Sequence, residues 1–122
     1  MRIAMAQMKM DNSTEHNLNK TIAFMRGAMR KGADLIIFPE LQLSPFFPKY
    51  SHQNASSFLM TLQSPEIKTI CETCRKMSIF ASPNVYLEID GKRYDASLLI
   101  DKNGEIIGIS KMVHIAQAKN FY

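Results

Sequence analysis

Two cysteines, five glycines and five prolines in 122 residues exclude several ways of holding a small domain together. Cys71 and Cys74 permit one disulfide at most and cannot build a four-ligand metal site by themselves. His16 and His52 lie in unrelated polar stretches and supply no recognisable metal spacing. Long apolar runs are absent too. Met1-Arg2-Ile3-Ala4-Met5-Ala6 is interrupted by Gln7 and Lys9 before a signal region can form, and no segment is long enough to cross a bilayer. These features lead us to expect a cytoplasmic protein with no membrane partner. No Walker phosphate loop, dinucleotide-binding glycine fingerprint or Gly-x-Ser-x-Gly elbow is present.

Charge of one sign is also scarce. Fifteen Lys and Arg against eleven Asp and Glu leave +4, a mild excess. The basic residues, among them Lys20, Arg26, Arg30, Lys49, Lys76, Lys92 and Lys119, are scattered among acids and polar residues. With no zinc-finger spacing and no RNA-binding aromatic motif, nucleic acid is not expected as a partner.

What remains is a globular balance, 46% hydrophobic and 21% charged, enough for one modest core over residues 1–122. Nine methionines are expected to fill that core rather than line a groove. Cys71-Glu72-Thr73-Cys74 has the spacing of a redox pair, but Ser64-Pro65 reads as the start of its helix, about two turns earlier. Cys71 is then far from the exposed N–H groups that lower a thiol pKa, and the pair is expected to be reduced and structural.

Residues 2 to 8 read as a first strand, and Asp11-Asn12-Ser13-Thr14 can cap the helix that follows. Leu18, Ile22, Met25 and Met29 form its apolar stripe, and Gly32 fits its exit. Asp34 to Phe38 is a continuous apolar run, suited to a strand buried on both faces, stopped by Pro39. Strand, helix, strand in the first 38 residues favours an α/β layer. Residues 41 to 57 read as a loop with short helical turns. Pro65 to Met77 reads as a second helix with a stripe of Ile67, Ile70, Cys71 and Cys74, and residues 78 to 82 return the chain to the sheet. Strands follow at 84 to 89, 93 to 100 and 105 to 110, turned at Asp90-Gly91 and at Asp101-Lys102-Asn103-Gly104.

Two charged residues stand at strand exits. Glu40 follows the buried run, where Pro39 limits the turn and Phe46 and Phe47 can reduce solvent access. It is either a solvated or backbone-satisfied acid, or a proton acceptor. Lys111 follows the last strand and is either a surface lysine lying along apolar surface or an ammonium that stabilises an oxyanion. His114 is expected to make a structural hydrogen bond. No convincing nucleophile accompanies them.

Taken in order, Met1 to Gln7, Gly32 to Glu40, Tyr94 to Asp101 and Asn103 to Gly108 resemble the nitrilase, or carbon-nitrogen hydrolase, superfamily over nearly the whole chain. The resemblance implies an α/β fold, the N-terminal part of a four-layer α-β-β-α sandwich that stops before the nucleophile-bearing strand. It also implies an acid, a lysine and a cysteine acting together, with Glu40 as the acid and Lys111 as the lysine. Glu40 would take the thiol proton and later activate water. Lys111 would stabilise the tetrahedral anion formed when an amide or N-carbamoyl compound is attacked. No metal or organic cofactor is needed.

Two departures from the family pattern stand out. The family commonly has four residues from the motif glycine to the lysine and two more to a histidine, whereas Gly108 to Lys111 is three and Lys111 to His114 is three. An ungapped match puts Met112 at the lysine position, so Lys111 needs a bulge or local shift to face the pocket. The nucleophilic cysteine is also missing, since neither Cys71 nor Cys74 has its strand-to-turn setting. The expectation is an N-terminal fragment, inactive alone, completed by a C-terminal remainder or complementary chain, and compatible with a homo-oligomer. The alternative is a noncatalytic assembly or regulatory protein on a truncated scaffold.

Overall fold

The computed structural model describes residues 1–50 and 54–114; His52, Lys119 and Asn120 to Tyr122 lie outside them. Six strands and two α-helices follow the order β1 (Ile3–Met5), α1 (Thr14–Arg30), β2 (Leu35–Ile37), α2 (Pro65–Met77), β3 (Phe80–Ser82), β4 (Asn84–Ile89), β5 (Lys92–Ile100) and β6 (Ile106–Lys111). Short 3-10 turns at Phe47–Lys49 and Ala55–Phe58 interrupt the long loop, as the proline-rich sequence predicts. Among the described residues, no helix is long and apolar enough to cross a membrane.

Ser13 caps α1 by accepting from the His16 N–H, an interaction typically contributing about 1 kcal/mol. Gly32, just past the helix end, adopts φ +72, a left-handed conformation that costs glycine little. Pro65 opens α2 at a position where its missing N–H has no helical partner to lose. Asp90 and Gly91 both have positive φ, which matches the twist of the tight β4–β5 hairpin. At the β5–β6 reversal Asp101 Oδ1 accepts from the N–H groups of Asn103 and Glu105.

The first three strands pair in parallel, β1 with β2 and β2 with β3. The remaining pairings are antiparallel, with β5 bonded to β3, β4 and β6. Register aligns Ala4, Ile36, Ala81 and Ile100 in one row. That row faces the helices, where Met25, Ile67, Ile70 and Cys74 complete the main core. Fully burying an aliphatic side chain of this kind contributes roughly 1.5–3 kcal/mol.

The neighbouring row is open. Met5 is 82% exposed and Ile37 38%. Strand β2 is therefore covered on one face only, whereas its continuous apolar run predicts burial on both. The sheet is open and partial, with helices on one side.

Helix α1 packs most of the expected stripe on the core, Met25 within it and Leu18 and Ile22 against it. Its buried residues are Asn17, Thr21, Met25 and Ala28, whereas Met29 is exposed. Two polar residues share the buried face with that stripe because each is satisfied by hydrogen bonds inside the fold. Asn17 exchanges bonds with the Asp11 backbone, and the Thr21 hydroxyl donates to the Asn17 carbonyl. Left unpaired, such groups would cost about 1–3 kcal/mol each.

Candidate active site

Beyond β2 the chain turns at Pro39 and Glu40, and Leu41 takes φ +52, an unfavourable conformation for a branched side chain. Three features hold it there. The Leu41 side chain is buried in a second apolar cluster with Phe47 and Tyr86. The Leu41 N–H donates to Asn84 Oδ1 at 2.7 Å. Next to it, the Gln42 N–H donates to the Asn84 carbonyl at 3.2 Å, and the Asn84 N–H donates back to Gln42 Oε1 at 3.0 Å.

Gln42 is wholly buried, and its amide donates to Thr21 Oγ1 at 3.2 Å. A polar chain thus runs from α1 through Gln42 to Asn84 at the start of β4. There the Asn84 amide nitrogen donates to Asp95 Oδ1 at 2.7 Å and to Ser97 Oγ at 3.1 Å.

Asp95 meets Glu40. Partial burial of the Glu40 carboxyl, then its side-chain hydrogen bond to Asp95 and the charge of Asp95, push Glu40 from 4.5 up to about 7. Glu40 as a whole residue is exposed, so one side of this acid pair remains open to solvent. The aromatic wall lies nearby in the fold, with the Phe47 and Phe58 rings stacked at 5.9 Å and Phe47 tilted against Tyr86 at 5.1 Å. An acid whose proton leaves near neutral pH is suited to accepting and returning protons.

Lys111 is placed elsewhere. A bulge does occur in β6, between the pairs Leu99 with Gly108 and Ile100 with Ile106, but it leaves Lys111 opposite Ala96. Cross-strand partners point to the same side of a sheet and neighbours alternate. Lys111 consequently shares the Ala96 and Tyr94 side, and its ammonium sits over the Tyr94 ring at 4.3 Å. Asp95 is on the other side. Met112, whose N–H donates to the Asp95 carbonyl at 2.9 Å, is the residue that follows on that side. The ladder does not bring Lys111 to Glu40. His114 is exposed at the chain's last described position.

Neither cysteine approaches the acid pair's strand exits. Cys74 is fully buried in the core, and burial, foremost, pushes its thiol up to about 12. Cys71 is half-buried on α2, and burial raises its thiol as well. Both are free thiols, and weak nucleophiles in these surroundings. Among the described residues, no group of three His, Cys, Asp or Glu side chains is arranged to hold a metal ion.

Sequence reasoning missed Asp95, Asn84 and Gln42. Gln42 had one usable signal: a polar residue between Leu41 and Leu43 at a strand exit must be satisfied if that stretch is buried.

Comparison with known proteins agrees with this architecture. The chain is 27% identical over 117 residues to a citrullinase from Francisella tularensis, covering 94% of this chain and 41% of that protein. Its fold is similar to the crystal structure of a carbon-nitrogen hydrolase from Helicobacter pylori G27, with a TM-score of 0.86 at 15% identity, covering 98% of this chain and 41% of that one. It is also similar to a glutamate-to-leucine mutant of an amidase from Nesterenkonia sp. AN1 carrying the acetamide moiety of fluoroacetamide at its active-site cysteine, with a TM-score of 0.80 at 20% identity, covering 98% of this chain and 45% of that one. The chain thus spans about two-fifths of the length of these relatives. The carbon-nitrogen hydrolase family model matches residues 2–121, and the chain belongs to that family.

Proposed function

We propose that this chain is the acid-bearing N-terminal portion of a thiol-dependent carbon-nitrogen hydrolase that cleaves a small amide or N-carbamoyl compound. The fold would be completed by a second sheet-and-helix layer on the exposed Met5, Ile37 and Leu99 side of the sheet. The observation that carries this reading is the half-open Glu40–Asp95 pair at the exit of β2, with Glu40 near 7. Glu40 takes the proton of an incoming thiol, the thiolate attacks the carbonyl carbon, and Glu40 returns that proton to the amine or ammonia as it leaves. Glu40 then activates water to hydrolyse the thioester. Relatives described as a citrullinase and an amidase with a modified cysteine support this reaction class.

The thiol comes from outside these 122 residues, because Cys71 and Cys74 belong to α2 and its core contacts. Lys111 serves as the oxyanion-stabilising cation only if the end of β6 turns over when the remaining layer packs. No cofactor is required. We place the protein in the cytoplasm, with a C-terminal remainder or complementary chain as its partner and a homo-oligomer as a compatible assembly.

The test is ammonia release from simple amides and N-carbamoyl amino acids by the completed protein and by the 122-residue chain. Turnover is expected only from the completed protein, and Glu40→Gln should reduce it by about 100-fold or more. Absence of both turnover and a thiol-linked acyl adduct in the completed protein would overturn the proposal.

One observation favours a second reading. Met112, not an ammonium, follows on the Asp95 side of the ladder. A scaffold without its oxyanion cation fits a noncatalytic assembly or regulatory protein. In that case the completed protein binds its partner but releases no ammonia, and Lys111→Ala changes nothing.

A further inference from the structure

Asn84 touches both halves of the acid pair's support. Its side-chain oxygen accepts from the Leu41 N–H, one residue past Glu40, at 2.7 Å. Its amide nitrogen donates to Asp95 Oδ1 at the same distance. One planar group therefore links the turn that carries Glu40 to the carboxylate that Glu40 meets. The backbone around Asn84 is fixed independently by the reciprocal bonds with Gln42 and by strand pairing to Ser97. Satisfied in this way, the Asn84 plane has little freedom to turn.

We propose that Asn84 is a positioning residue for the acid pair: it pins the Glu40–Leu41 turn and holds the Asp95 carboxylate through Oδ1 where Glu40 meets it. Its use in catalysis rests on the hydrolase reading above. The physical role has two parts. The bond to Leu41 offsets the unfavourable φ +52 there, a conformation that costs a branched residue free energy. The bond to Asp95 fixes the plane of that buried carboxylate where Glu40 meets it. Remove the donor, and the contact with Asp95 that helps to raise Glu40 loosens.

The groups facing the pair are limited. From β4, Tyr86 is the cross-strand partner of Asp95, and Glu88 lies on the same side two residues further. From β5 comes Ser97, bonded to Asn84. From β6, Lys111 is on the opposite side. Arg93 is the cation on the Asp95 side of β5; it is exposed and stands opposite Glu88 in the ladder, two residues from Asp95, whereas Asn84 is bonded to Asp95 directly.

The experiment is a carbon-13 NMR titration of the Glu40 carboxyl in the 122-residue chain, with hydrogen exchange at the Leu41 amide read in the same samples. Asn84→Ala should move the Glu40 midpoint from about 7 down toward 4.5 and speed Leu41 exchange about tenfold or more, the loss expected for one good hydrogen bond. Asn84→Asp should move the midpoint the other way, above about 7, because it adds a negative charge beside the pair. Opposite shifts from two substitutions at one site are not expected from general loosening. Should Asn84→Ala unfold, Asn84→Asp and Ser97→Ala decide, the latter expected to leave the midpoint unchanged. A midpoint that stays put in folded Asn84 variants overturns the positioning role even if the completed protein turns over amides. An inert completed protein whose Glu40 shifts as described overturns the hydrolase reading and leaves the positioning role standing.

Discussion

The Lys111 ammonium stands 4.3 Å from the centre of the Tyr94 ring, on the side of β5 that turns away from Asp95. At an exposed site this contact is worth about 0.5–1 kcal/mol. It holds Lys111 apart from the acid pair in the described conformation. A positive charge on the Asp95 side would favour the ionised form of Glu40, whereas the same charge across the sheet is screened by a layer of backbone and side chains.

The two adjacent positions should therefore behave differently. Met112→Lys is expected to lower the Glu40 titration midpoint below about 7, while Lys111→Ala leaves it there and costs at most about 1 kcal/mol of stability. A carbon-13 titration of the Glu40 carboxyl checks both. A large shift from Lys111→Ala, with none from Met112→Lys, would show that β6 has the other register in solution.

Stability should carry a signature of the raised acid. Folded Glu40 holds its proton up to about 7, whereas the unfolded residue releases it near 4.5. Between those values the native state binds the additional proton, so stability falls as pH rises through this window. Asp11 and Asp34 act in the opposite sense. The Lys20 hydrogen bond chiefly depresses Asp11, and the Arg2 N–H chiefly depresses Asp34, both from 3.8. Their contribution is present above 3.8 and is lost as pH falls below it. Urea midpoints measured from pH 5 to 8 should decline in the wild type and flatten in Glu40→Gln.

The thiols offer an independent check on the core. Burial raises both, and Cys74 has no exposed surface. Iodoacetamide at about pH 8 is expected to label Cys71 slowly and Cys74 only after unfolding, because the thiolate is the reactive form. Rapid native labelling of Cys74 would mean that α2 does not pack as described.

Much of the fold was legible because local signals agreed with one another. Pro65 and Ser78 bound α2 where the proline start and the return to the sheet predict it, and Asp90-Gly91 forms the hairpin that its positive-φ preference demands. The apolar stripe of α1 was legible in Leu18, Ile22 and Met25, but the polar part of its buried face was not. Asn17 and Thr21 carry no local signal of burial, because Asp11 and Gln42, which satisfy them, are brought to them by the fold. The same limit applies to the site. Glu40 was visible from its place after an apolar strand, but Asp95 lies 55 residues later on another strand, and only the folded ladder reveals their meeting. The direction of Lys111 depended on which residue of β6 bulges, which no local preference specifies.

Three glycines separate backbone strain from steric contact. Gly104 has φ +81, and a Cβ there would lie 2.6 Å from the Cys71 carbonyl oxygen on α2, a backbone atom that cannot move without shifting the helix. Gly91 has φ +73 but open space around it, so alanine meets strain alone. Gly27 sits within α1 with nothing within 4 Å, where alanine removes a helix penalty of about 0.5–1 kcal/mol. Thermal unfolding should therefore rank Gly27→Ala above wild type, Gly91→Ala about 1–2 kcal/mol below it, and Gly104→Ala lowest, with a further roughly 1–3 kcal/mol from overpacking. If Gly104→Ala matched Gly91→Ala, the β5–β6 reversal would not be seated against α2, and the hairpin that carries Met112 and Lys111 would lose its anchor to the helical layer.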